Sequence, residues 1–169
     1  MRRMGAFGNV EKKAEDLWRA GLREQLDGNL SEALDLYEQS IALHPTAEAL
    51  SYKGWALSHM GELDDAVDAC LEAIELDADL GNPYNDIGAY LVEMHREDEA
   101  VLWFQRAKEA PRYDTPQFPY LNLARLYTHR GYLAGALLEL QMAELLAPED
   151  PRVGQLVAQI GERMEEQGS

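Results

Sequence analysis

Apolar and small residues in this chain recur at three- and four-residue steps. Leu50, Gly54 and Leu57 fall on one helical face, as do Tyr84, Gly88 and Leu91, and Tyr120, Ala124 and Tyr127. A turn follows such a face at Asp27-Gly28-Asn29, at Met60-Gly61-Glu62 and at Arg130-Gly131-Tyr132. Glycine there can take the left-handed backbone that ends a helix. A second helical face then begins: Leu30, Ala33, Tyr37 and Ser40 in one place, Leu63, Ala66, Cys70 and Ala73 in another. Pro45 and Pro148 stop this second helix. The pattern predicts helix–turn–helix pairs.

Laid on itself, the chain shows that the pairs are repeats. Gly21, Gly54, Gly88 and Ala124 are separated by 33, 34 and 36 residues. Ala33, Ala66, Ala100 and Ala136 keep the same steps, as do Gly28, Gly61, His95 and Gly131. Tyr37, Cys70, Phe104 and Leu140 keep them too, and so do Ser40, Ala73, Ala107 and Ala143. The small residue of the first column lets the second helix approach closely. Four units are expected, at 14–46, 47–80, 81–116 and 117–148, preceded by an amino-terminal extension over 1–13. After Pro151, Val153, Leu156, Val157, Ile160 and Met164 have helical spacing and give way to a polar tail, so 149–169 reads as a capping helix. These columns resemble the tetratricopeptide repeat across about 14–148. The resemblance implies an all-α fold: a right-handed superhelix of antiparallel helix pairs, an α-solenoid whose concave groove is lined by the first helix of each unit.

The units are unequal. Glu24 and Lys53 stand where apolar residues are usual, which reads as frayed or groove-facing positions. His95 replaces the turn glycine of unit three. Between units three and four the repeat lengthens by two residues within Ala110–Pro119, which holds Pro111, Pro116 and Pro119. This segment reads as an extended, stiff connector. It is either a plain inter-repeat loop or a lip or hinge that touches a partner.

Charge narrows the function. The 169 residues carry a formal charge of −16, a poor footprint for nucleic acid or for anionic lipid. No run of about 18 apolar residues occurs, so no membrane span is expected. The start, Met1-Arg2-Arg3, is followed by no apolar stretch before Glu11, and the single cysteine is Cys70; both fit a cytoplasmic chain. The acids are uneven: residues 47–80 hold nine against one base, and residues 117–148 hold two against two. The spacing of catalytic motifs is missing, so no enzyme, no metal site and no cofactor is expected. His59, His95 and His129 recur near the same turn of successive units, too far apart for one ion.

What remains is binding. By the resemblance, groove positions are Trp18, Arg19 and Leu22 in unit one and Tyr52, Trp55 and His59 in unit two. They are Asn82, Asn85 and Asp86 in unit three, and Phe118, Asn122, Arg125 and His129 in unit four. Aromatic residues and arginine are favoured at interface hot spots. Asn85 and Asn122 can both donate to and accept from the backbone of an extended peptide. Some of the aromatics could instead pack on the next repeat. The basic clamp with which family members grip an acidic chaperone tail survives only in scattered matches, because its positions hold Glu15, Arg19 and Asp86, so a reader of such tails is not expected. The expected function is therefore a non-enzymatic module binding a protein or peptide partner, with self-association as the alternative.

Overall fold

A computed structural model describes residues 4–168. Four helix pairs follow one another: α1 (Met4–Leu26) with α2 (Leu30–Leu43), α3 (Ala47–His59) with α4 (Leu63–Leu76), α5 (Asn82–Glu93) with α6 (Glu97–Glu109), and α7 (Phe118–His129) with α8 (Leu133–Leu146). Helix α9 (Pro151–Gly168) closes the array. The segment expected as an extension is helical from Met4 and continuous with α1, and α9 runs on through the polar tail.

The repeat columns explain the pairing. Each turn glycine is left-handed, with φ of 87° at Gly28, 85° at Gly61 and 75° at Gly131. His95 takes the same conformation, φ 59°, without glycine's freedom, at a cost of about 1 kcal/mol. Within a pair the small residue sits under the large one. A Cβ on Gly21 would come within 2.8 Å of the Tyr37 ring, and one on Gly88 within 2.6 Å of Phe104. In unit four Ala124 and Leu140 occupy these two places, both buried in one cluster. Buried hydrogen bonds reinforce the first pair: the Tyr37 hydroxyl donates to Gln25 Oε1 (2.7 Å) and Ser40 Oγ donates to the Ala14 carbonyl (2.7 Å). Cys70 is buried, and desolvation pushes its thiol up.

Between pairs, the first helices touch one another: α1 with α3, α3 with α5, α5 with α7, and α7 with α9. Consecutive second helices are splayed apart and meet only through long side chains, such as Lys108 Nζ to Glu139 (2.6 Å). An array packed tightly on one side and loosely on the other curves toward the tight side. The first helices therefore line the concave face of the solenoid. Helix α9 takes the place of a fifth first helix, burying Val153, Leu156 and Ile160 against α7 and α8. Arg163 donates to the Thr128 carbonyl at the end of α7. Among the described residues no helix is long and apolar enough to cross a membrane.

Two expectations change. Lys53 is neither frayed nor groove-facing: it is half-buried and lies 3.3 Å from Glu38 of α2, on the side away from the groove. The connector is shorter than Ala110–Pro119, because α7 begins at Phe118 and uses Pro119 in its first turn, where a missing N–H costs nothing. Nor is it a free spacer. The Gly81 amide donates to the Arg112 carbonyl (2.9 Å) and the Arg112 amide to the Asp79 carbonyl (3.0 Å), a parallel bridge between Leu80 and Arg112.

Candidate functional site: a pocket in the inner layer

The docked connector turns part of the groove into a pocket of about 480 Å³. Helix α3 supplies Glu48, Ser51, Tyr52 and Trp55; α5 supplies Asn82 and Asp86; α7 supplies Phe118. Leu80 and the connector residues Arg112, Tyr113 and Asp114 complete the wall. Of the groove residues expected from the sequence, Tyr52, Trp55, Asn82, Asp86 and Phe118 meet here.

The others are placed elsewhere. Trp18 stacks on Tyr52 of the next unit (centroids 5.3 Å apart), and Tyr37 lies near the same ring (6.2 Å). Arg19 covers Trp18 at 4.6 Å and pairs with Glu15 at 2.7 Å. Leu22 is half-buried on α1. His59 sits edge-on to Trp55 (5.3 Å) with Nδ1 2.9 Å from the Trp55 carbonyl. His129 stands exposed at the turn end, 3.8 Å from Glu97 of unit three.

Asn85 is not an open clamp for a passing backbone. It is buried and accepts a hydrogen bond from Asn122 Nδ2 on its Oδ1 (2.9 Å). Asn122 Oδ1 in turn accepts from Arg125 (3.3 Å). Two hydrogen bonds thus run head to tail from Arg125 through Asn122 to Asn85, an arrangement in which each polarises the next. Burial pushes the neighbouring Asp86 carboxyl up to about 7, against the smaller pull of the Asn85 side chain in the other direction. Burial also holds the Tyr52 and Tyr113 hydroxyls up.

The pocket residues that sequence reasoning missed are Leu80, Arg112, Tyr113 and Asp114. The signal was the two-residue lengthening with an Arg-Tyr-Asp run between prolines, but side-chain periodicity says nothing about a backbone bridge.

Comparisons place this geometry among known proteins. The tetratricopeptide-repeat family model matches residues 46–76. The photosystem I assembly protein Ycf3 of a Prochlorococcus marinus strain is 32% identical over 110 residues, 59% of this chain and 64% of that protein. The chain thus spans less than two thirds of that relative's length. Among solved structures, PilF of Pseudomonas aeruginosa superposes with a TM-score of 0.84 at 19% identity, covering 94% of this chain and 72% of that one. The first tetratricopeptide domain of Spaghetti (RPAP3), solved with the HSP90 peptide SRMEEVD, superposes with a TM-score of 0.58 at 22% identity, covering 59% and 82%. Residues 46–76 thus match a tetratricopeptide repeat, and four helix pairs in register with a closing helix give the whole chain the fold of the tetratricopeptide-repeat proteins it resembles.

Proposed function

We propose that this chain is a non-enzymatic interaction module that holds a peptide or helix of a partner protein in its concave groove. The observation that carries the reading is the pocket itself: first helices of three successive units bring Trp55, Asp86 and Phe118 to one cavity. A half-buried tryptophan beside open volume is the kind of side chain that anchors interfaces. A relative named as an assembly protein, and a fold neighbour solved with a bound peptide, support it.

Panning a phage-displayed peptide library on the full chain tests it. Wild type should enrich a sequence family. Trp55→Ala should bind those peptides at least tenfold more weakly with an unchanged helical spectrum. Failure to enrich, or equal binding by the variant, rejects the groove.

A second reading, self-association, is favoured by the outer face of α8. Leu138 and Leu145 are 65% and 75% exposed there, and Met142 lies between them at helical spacing. Residues 117–148 carry two acids and two bases, so two copies could meet at this end without the repulsion their net charge imposes elsewhere. Light scattering should show a dimer that Leu138→Glu with Leu145→Glu dissolves; the mass of one chain at every concentration excludes it.

A further inference from the structure

The α6–α7 connector builds the most specific part of the pocket. The bridge at Arg112 fixes its path. Tyr113 lies on Gly81 so closely that a Cβ there would be 2.6 Å from the ring. Asp114, the next residue, is thereby delivered to the pocket wall. Asp86 already stands in the same cavity, next to Asn85, which Asn122 and Arg125 tie to unit four. Arg112, the basic residue of the lining, is committed to Asp77 and to Glu48 (3.5 Å). Among the described residues no lysine, arginine or histidine pairs with Asp86 or Asp114.

Two carboxylates without a basic partner, sharing one cavity with the rings of Trp55 and Phe118, suit one kind of guest. A cation gains from the carboxylates by charge and from the rings by their quadrupole. An anion meets repulsion. Guanidinium fits better than ammonium, because it is planar, stacks on rings and binds carboxylate through two donors. This chain shows the stacking elsewhere, where Arg106 lies 4.8 Å from the Trp103 centroid, and at the pocket's own rim, where Arg152 covers one side of Phe118 at 4.3 Å.

We propose that the pocket receives a basic side chain of a partner peptide, arginine in preference to lysine, held by Asp86 and Asp114 beside Trp55 and Phe118. This rests on the groove reading above and narrows it to a ligand class. The acidic peptide SRMEEVD, carried by the fold neighbour, is the wrong sign for it.

Fluorescein-labelled heptapeptide pools, random except for a central arginine, lysine, citrulline, leucine or glutamate, test the assignment by anisotropy at pH 8. The arginine pool should bind at least tenfold tighter than the citrulline pool, which keeps the shape and lacks the charge. Lysine should fall between them and glutamate last. Asp86→Asn should bring arginine down to the citrulline level, and Asp114→Asn part of the way. Arginine binding should weaken as pH falls through about 7, where Asp86 takes up a proton. The other groups facing Asp86, namely Tyr52, Cys70, Tyr90 and Tyr113, are all held protonated across that range. Equal binding of the arginine and citrulline pools, with both weakened by Trp55→Ala, overturns this assignment and leaves the groove standing. Binding by no pool overturns both. Free arginine amide binding as tightly as the arginine pool would assign the pocket to a small molecule and overturn the peptide.

Discussion

Asp86→Asn is expected to stabilise the chain at pH 8, by about 2–4 kcal/mol, and to leave its stability nearly unchanged at pH 4. Most removals of a charged, hydrogen-bonded side chain destabilise, so the direction is diagnostic. Burial raises the Asp86 carboxyl from 3.8 to about 7 in the folded chain. Between those values the folded state binds a proton that the unfolded state has released, so stability falls as pH rises through the window. Asparagine carries no charge to desolvate. Asp150 works in the opposite sense. Hydrogen bonds from Arg152 hold its carboxyl down to about 2, so its contribution is complete above pH 4 and disappears only on further acidification. Urea titrations of both proteins at pH 4 and pH 8 measure the effect. A variant less stable than wild type at pH 8 would show that the carboxylate is compensated within the fold. Taken with the binding assay, the outcome expected is a residue that lowers stability where it sits and is needed there for a guest, a trade common at binding sites.

Gly88→Ala should cost about 2 kcal/mol or more, although alanine is the better helix former by about 1 kcal/mol. The added methyl would meet Phe104 at 2.6 Å, and Phe104 is 1% exposed, with no room to withdraw. Gly135→Ala is the control. Its nearest contact is shorter still, 2.4 Å, but the atom belongs to Tyr132, an exposed side chain that can swing aside. That variant should stay within about 1 kcal/mol of wild type. Unit four suggests the rescue, since Ala124 and Leu140 hold the same two positions there. Gly88→Ala combined with Phe104→Leu should recover part of the loss, a coupling that thermal melts of the two single variants and the double variant would reveal. Additive losses would mean that the methyl clashes with something other than the ring.

What the sequence revealed follows from which interactions are local. The small–large columns, the left-handed turns and the capping helix are set within a few helical turns, so spacing exposes them. Even the odd turn residue was legible: His95 stands in the glycine column and takes the glycine conformation. Part of the groove face was legible, because first helices packed on one another must share a face: Tyr52, Trp55, Asn82, Asp86 and Phe118 line one pocket. The roles of the other expected positions were not legible. Asn85 points from the groove helix yet is closed off by Asn122 from the next one, and Trp18 spends its ring on Tyr52. Both depend on side chains one repeat away. The connector wall was the least legible, because two backbone hydrogen bonds hold it and these are indifferent to residue type.

That backbone bridge changes the topology of unfolding. A solenoid is a string of units, each able to peel from its neighbour in turn. Leu80 lies just before unit three and Arg112 just after its helix pair, so joining them closes the unit into a ring. Peeling that unit from an end then costs the two bridge hydrogen bonds, about 1 kcal/mol each, besides the lost burial. Unit three must first break its clasp, or leave as one body with the α4–α5 loop and the connector still attached. The array therefore has a lock in its middle, and the pocket is built against that lock rather than at a fraying terminus.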